Sequence, residues 1–292
     1  MCSNFVFGYN SIDMRLDVYL VSNSYFSSRE QAKFNIAKGN VMVNGVPASK
    51  PSQPISEQDT VSLITENAIP FASRGGMKLE KALFEFSVDC TNINALDVGA
   101  STGGFTDCLL RNGAKHVCAI DVGTNQLVAS LRDDPRVVSI ENMNIKDLDP
   151  SQLSPNQFDL IVADLSFISL NKVVEYLPKF LSANGQVIAL IKPQFEVGQS
   201  LLGKGGIVKK PKAHIQAIEN IAKHWQQANL HLSRLTYAPI HQSTKNIEYL
   251  GLFTQAWDRF PDFSSVVNEA FAAKDKVNIK LCTTLTGLSF ID

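Results

Sequence analysis

From Ile93 to about Trp257 the chain alternates two kinds of apolar pattern. Short apolar runs of strand length fall at residues 95–98, 116–121, 137–141, 158–163, 186–191, 232–238 and 249–255. Between them, residues 104–112, 126–133, 171–181 and 213–228 carry apolar side chains at helical spacing. Strand–helix alternation predicts an α/β fold: seven strands in a parallel, doubly wound sheet with helices on both faces. In such a sheet ligands bind at the C-terminal ends of the strands.

The first part of the chain has a different pattern. Leu16, Val18, Tyr19, Leu20 and Val21 suit a short helix. Ser27 or Ser28 can cap a second, which Gly39 ends. Val41-Met42-Val43 reads as a strand, Asn44-Gly45 as a hairpin turn, and residues 59–64 as a closing strand. Ala68-Ile69-Pro70 reads as a break and Ser73-Arg74-Gly75-Gly76 as a flexible loop, after which Lys78 opens a helix. The expected units are an extension over 1–13, a small α+β module over 14–65, a linker over 66–77, the sheet domain over 78–257 and a C-terminal extension over 258–292. A terminal helix is expected over 266–274.

Composition narrows the function classes. The chain has 292 residues, is 45% hydrophobic and carries a net charge of −1, so a uniformly basic surface is excluded. Any nucleic-acid contact must use local charge. Such charge exists in the first module, where Arg15, Arg29, Lys33, Lys38 and Lys50 outnumber Asp17 and Glu30. Arg29 and Lys33 share a helix face. A second basic segment, Gly198 to Lys212, carries Lys204, Lys209, Lys210 and Lys212 among glycines. No apolar run approaches the roughly 20 residues of a membrane span, and no secretory signal opens the chain. Five scattered cysteines with no CxxC pair point to reduced thiols in a cytoplasmic protein and to no metal site.

The first strand of the sheet ends in Asp97-Val98-Gly99-Ala100-Ser101-Thr102-Gly103-Gly104-Phe105, a glycine turn between strand and helix. Gly99 and Gly103 let the backbone approach a ligand, and Gly104 lets the helix start close to the sheet. Asp121, followed by Val122, ends the next strand, where an acid can accept hydrogen bonds from ribose hydroxyls. A dinucleotide or S-adenosylmethionine fits such a turn. Asp97 would oppose a pyrophosphate yet suit a methionine ammonium, which favours S-adenosyl-L-methionine. The expected cofactor residues are Asp97, Gly99, Ala100, Ser101, Gly103, Gly104, Phe105, Asp121, Val122 and Asp164.

Asp164 closes the fourth strand and Lys192 the fifth. A lysine ending an apolar strand needs a partner, and Asp164 is the natural one. Glu248 precedes the last strand and Lys78 stands on the helix before the sheet. Together Lys78, Asp164, Lys192 and Glu248 resemble the Lys-Asp-Lys-Glu tetrad of 2′-O-ribose methyltransferases. A ribose hydroxyl is a poor nucleophile and needs such a base or clamp. On this resemblance Lys192 takes the proton, Asp164 holds Lys192, and Lys78 and Glu248 orient the ribose. Phe167 and Phe195 can either pack in the core or stack on a splayed base.

The S-R-E-Q-A helix, the G-x-V-x-V-N-G hairpin and the P-S-Q-x-I stretch resemble the S4 RNA-binding domain. The strings S-R-G-G-M-K-L, D-V-G-A-S-T-G-G-F, A-D-L-S-F-I-S, K-P-Q-F-E-V-G and N-I-E-Y stand in the order of the TlyA family, often labelled hemolysin. That family pairs an S4 domain with an FtsJ-like, Rossmann-like class I methyltransferase. The resemblance spans roughly residues 14–257; Ile69-Pro70-Phe71-Ala72 departs from the family pattern. It implies 2′-O-methylation of cytidine in ribosomal RNA, with ribosomal RNA or subunits as partner and no membrane. Arg15, Arg29, Lys33, Lys38, Arg74, Lys204, Lys209 and Lys210 are the expected RNA contacts. The alternatives are a non-catalytic RNA-binding or ribosome-assembly factor and a membrane-lytic hemolysin.

Overall fold

The computed structural model describes residues 14–23, 25–26, 28–56, 58–63, 71–240, 244–256 and 259–286, with side chains up to residue 277. Residues 1–13, Ser27, Ile64, the Ala68-Ile69-Pro70 break and the tail after 286 lie outside the described residues.

The N-terminal unit comprises β1 (Met14–Arg15), α1 (Leu16–Ser22), α2 (Arg29–Ala37), β2 (Val41–Val43), β3 (Val46–Pro47), β4 (Pro54–Ile55) and β5 (Val61–Leu63). Ser28 caps α2, its Oγ accepting from Gln31 N at 3.2 Å. Gly39, just past the helix, has φ +73°. Asn44 and Gly45 both have positive φ, the requirement of a tight two-residue hairpin turn, and β3-β2-β5 form an antiparallel sheet. Leu16, Leu20, Ala32, Ile36, Val41 and Ile55 fill its small core. The short β1–β4 pair was not foreseen from the sequence; two-residue strands carry no period to read.

A seven-stranded sheet follows. Its strands are β6 (Asn94–Val98), β7 (His116–Ile120), β8 (Val137–Ile140), β9 (Phe158–Ala163), β10 (Leu181–Ile191), β11 (His231–Tyr237) and β12 (Tyr249–Thr254), in the order β11-β12-β10-β9-β6-β7-β8. The helices are α3 (Arg74–Phe86), α4 (Gly104–Arg111), α5 (Ala129–Arg132), α6 (Pro193–Glu196), α7 (Pro211–Trp225) and α8 (Phe263–Thr286). Alternate strand residues face opposite cores, as the pleat demands. Leu96, Ile161 and Ala189 join one core with Ile218, Trp225 and Val267. Ala95, Leu160 and Ile188 join the other with Leu79, Phe86 and Leu109.

Three expectations need correction. The sheet is not wholly parallel: β12 runs antiparallel to β10 and β11. The connection from β11 to β12, residues 238–248, is shorter than the dozen or more residues that a parallel crossover needs, so the pair is antiparallel. Residues 171–181 are no helix but three 3₁₀ turns, Leu170–Lys172, Val174–Tyr176 and Pro178–Phe180. Pro178 removes a donor there, and adjacent Val173 and Val174 are poor helix formers. Residues 126–133 give only the four-residue α5, because Glu141 takes the backbone N–H groups of Asn125, Gln126 and Leu127.

Candidate active site

The segment expected as a flexible loop is the first turn of a helix. Ser73 caps α3, its Oγ accepting from Gly75 N at 3.2 Å. The glycines there serve close approach. A Cβ on Gly76 would lie 2.3 Å from Phe71 Cγ, and one on Gly104 would lie 2.1 Å from Ser73 Oγ and 3.1 Å from Gly76 N. The N-termini of α3 and α4 therefore meet backbone to backbone, and Lys78, one turn into α3, is held by that crossing. Across the sheet, Gly99 has φ +86° and a Cβ there would stand 2.7 Å from Asp164 O. The glycine turn thus folds directly onto the end of β9.

These elements surround a cleft of about 990 Å³. Lys78, Asp164, Lys192 and Glu248 all line it, with Gly99, Ala100, Ser101, Gly104 and Phe105 on its wall. The four charged groups form two pairs. Lys78 Nζ lies 2.6 Å from Glu248 Oε2, and Lys192 Nζ lies 2.6 Å from Asp164 Oδ1. Reversal of β12 brings Glu248 here: Tyr249, its first residue, pairs with Ile191, the last of β10. Lys192 is buried, with its side chain 9% exposed. An ammonium so placed depends on its partner, since stranding one buried charge costs about 3–5 kcal/mol.

Sequence reasoning missed one partner of Lys192: its Nζ also donates to Ser166 Oγ at 2.8 Å. The signal was present, because Ser166 lies in the same string as Asp164. Residues 163–170 and the string containing Lys192 are joined three further times. Glu196 Oε2 accepts from Ser169 Oγ at 2.6 Å, Glu196 Oε1 accepts from Leu170 N at 2.9 Å, and the rings of Phe167 and Phe195 lie 5.4 Å apart. Burial raises the Glu196 carboxyl above its ordinary range. Phe167 is not core: it is 92% exposed, has φ +64° and borders the cleft.

The acids expected at the cofactor lie behind or beside the turn. Asp97 is fully buried and its Oδ2 accepts from Thr106 Oγ1 at 2.7 Å. Burial pushes its carboxyl up to about 7, with Asp164 and Asp121 adding to the rise. Its Oδ1 is buried with no hydrogen-bond partner among the described residues. An orphaned carboxylate oxygen beneath a backbone cradle suits a cationic ligand and repels a pyrophosphate. Asp121 ties two loops together, Oδ2 accepting from Ser101 N and Oδ1 from Gly123 N, each at 2.7 Å. A carboxylate has about four lone-pair directions, so capacity remains for ribose hydroxyls. Val122 beside it is 68% exposed, while Gly103 is buried against Leu131. The residues present fit S-adenosylmethionine.

The expected RNA contacts divide into two groups. Arg74 and Lys204 line the cleft; Lys209 and Lys210 are exposed beyond it. Arg15, Arg29, Lys33 and Lys38 stand on the N-terminal unit. Arg15 Nε and Arg29 Nη2 both bind buried Asp17, at 3.0 and 2.7 Å, and Lys33 pairs with Glu30 at 2.7 Å. Much of that charge is therefore compensated, although both arginines remain half exposed. The Phe34 ring lies 5.9 Å from Lys38 Nζ and 5.0 Å from Arg74 Cζ. Gln31 Nε2 donates to Phe71 O at 2.7 Å, so α2 touches the segment leading into α3.

Both units of the chain resemble known proteins. The FtsJ-like methyltransferase family matches residues 71–254 and the S4 domain matches residues 14–61. Hemolysin A of Brachyspira hyodysenteriae is 42% identical, over 82% of this chain and 99% of its own length. The 16S/23S rRNA (cytidine-2'-O)-methyltransferase TlyA of Mycobacterium tuberculosis is 40% identical, over 82% of this chain and 90% of its own. A solved structure from Streptococcus thermophilus that also carries the hemolysin name superposes with a TM-score of 0.72 at 38% identity, covering 91% of this chain and 98% of that one. Among the described residues no helix is long and apolar enough to cross a membrane. The chain belongs to the TlyA and hemolysin A family, whose members join an S4 domain to an FtsJ-like methyltransferase.

Proposed function

We propose that this protein methylates the 2′-hydroxyl of a cytidine in ribosomal RNA, as its TlyA relative does by name. The observation that carries the reading is the pair of ion pairs in one cleft, Lys192–Asp164 and Lys78–Glu248, facing the glycine turn. S-adenosylmethionine, bound against that turn, supplies a methyl group already activated by its sulfonium. What the protein must add is position and removal of one proton.

Lys192 serves as the base in its neutral amine form: the Nζ lone pair takes the proton of the ribose hydroxyl while its N–H groups stay directed at Asp164 and Ser166. Asp164 and Ser166 fix that nitrogen at 2.6 and 2.8 Å, which aims it into the cleft. Lys78 stabilises the oxygen as negative charge develops, and Glu248 holds Lys78 from the far side. Phe167, exposed at the rim, offers a ring face to the base of a nucleotide drawn from its stack. Arg74 and Lys204 meet phosphates beside that nucleotide. The S4 unit, residues 14–65, docks on RNA through Arg29, Lys38 and their neighbours, and residues 78–257 do the chemistry. A ribosomal substrate places the reaction in the cytoplasm, where the free thiols of Cys90, Cys108 and Cys118 are stable.

The test is methyl transfer from radiolabelled S-adenosylmethionine to ribosomal subunits and to naked ribosomal RNA, wild type against Lys192→Ala. Label at ribose 2′-oxygens with wild type, lost at least about 100-fold in the variant while cofactor binding persists, supports the reading. Cofactor binding without label in any ribosomal substrate would overturn it.

A further inference from the structure

Lys245 stands on the cleft wall, exposed, in the connection between β11 and β12. Like Lys204, it takes part in no ion pair among the described residues. This contrasts with the N-terminal arginines, whose charge Asp17 partly cancels. The 198–212 loop contains no acid, and Glu248, three residues after Lys245, is engaged by Lys78. The rim is therefore positively charged without an internal counter-ion.

The same rim is built to hold its shape. Asn246, next to Lys245, clips the two loops together: Oδ1 accepts from Val208 N and Nδ2 donates to Gly206 O, each at 2.9 Å. His214 of α7 adds a second fastening. Its Nε2–H donates to Val208 O at 2.9 Å, so neutral His214 accepts from the Tyr249 hydroxyl at Nδ1, 3.0 Å away. Helix α8, which lies beyond the family match ending at residue 254, closes the assembly from outside. The Phe271 ring packs edge-on against His214 at 5.0 Å, and Lys274 Nζ donates to Lys245 O at 2.7 Å.

We propose that Lys245 and Lys204 form one phosphate-binding rim for the RNA strand flanking the target nucleotide, with α8 positioning Lys245 through Lys274. Two ammonium groups without ion-pair partners, carried on pinned backbone, lose less freedom on meeting a polyanion than mobile lysines do. Lys274 is a positioning residue; it reaches the RNA only through the Lys245 backbone. The inference rests on the RNA methyltransferase reading, and its test separates the two.

Binding of the full-length protein to purified ribosomal subunits is measured by filter retention against salt, beside methyl-transfer kinetics. For Lys245→Ala we expect KM to rise about three- to tenfold with kcat unchanged, and the log–log salt slope to fall by about one. Lys245→Arg restores both. Lys274→Met raises KM by a smaller factor and leaves the salt slope at its wild-type value, because no phosphate contact is removed. A Lys245→Ala protein with wild-type KM and slope overturns the rim. A Lys274→Met protein indistinguishable from wild type overturns the role of α8. Wild-type binding without methyl transfer would instead overturn the proposed activity, while the salt slopes still decide the rim.

Discussion

Two aspartates show how one residue type acquires opposite pH behaviour. Asp17 is buried beneath Arg15 and Arg29, and the Arg15 hydrogen bond above all lowers its carboxyl from 3.8 to about 2. As pH falls the unfolded chain is protonated first, so this contribution is full above pH 4 and disappears between pH 4 and 2. A shift of that size is worth about 1–2 kcal/mol after allowance for the half-exposed arginines. Asp17→Asn should lower stability by about that amount at pH 7 and flatten the acid limb of a denaturation profile. Asp97 behaves inversely. Burial raises it to about 7, so the folded protein holds a proton that the unfolded chain has released, and apo-protein stability declines as pH climbs from 4 past 7. A cationic ligand prefers the ionised carboxylate. Cofactor affinity should therefore increase with pH through the neutral range, and Asp97→Asn should flatten that dependence in calorimetric titrations. An affinity falling with pH would contradict the role given to Asp97. The sequence puts Asp97 on the first strand of the sheet and Asp17 in a short helix but shows the burial of neither, because Asp17 looks like any helix-start acid until its two arginines close over it.

Elements were legible where one local signal decided them. All seven strands of the sheet overlap their apolar runs: the central ones are buried on both faces, and the edge strands β8 and β11 still bury part of their length. Asn44-Gly45 fixed its hairpin and Ser28 its helix start. Elements failed where tertiary contacts overruled local pattern. Arg74-Gly75-Gly76 looks like a loop because glycine is a poor helix former, by about 1 kcal/mol relative to alanine. The glycines are nonetheless required, because α3 and α4 touch through them. Gly104→Ala should cost about 1–3 kcal/mol by overpacking against Ser73 and Gly76. It should also lower kcat, because Lys78 rides on the displaced helix. A differential melt and single-turnover rates check both; a variant as stable and as fast as wild type would show that the crossing tolerates separation. The candidate site was legible for the same reason as the strands. Lys192 and Asp164 end adjacent strands, and strand ends are the best-determined positions in such a sheet. Ser166, Asn246 and Lys245 were not, since loop residues reveal their partners only when the loops are folded.

At the scale of the whole molecule, the N-terminal core and the two cores of the sheet share no buried residue. Contacts between the units include the Gln31–Phe71 hydrogen bond and the Arg74–Phe34 ring contact. A module of about 50 residues buries a small fraction of its surface and is marginally stable, whereas the sheet has two cores. Unfolding should therefore occur in two steps, the S4 unit melting first. A ligand that binds only the folded sheet stabilises it by RT ln(1 + [L]/Kd), about 2.7 kcal/mol at a hundredfold excess over Kd. Saturating S-adenosylhomocysteine should raise the upper transition by several degrees in calorimetry and leave the lower one in place. Substitutions would report in the same way. Asp17→Asn should lower the first transition alone, and Gly104→Ala the second alone. A single transition that shifts as one body with ligand would mean that the contacts around Phe71 and Phe34 couple the units more strongly than their number suggests. Docking of the S4 unit on RNA would then be felt directly at Lys78, one helical turn from Arg74.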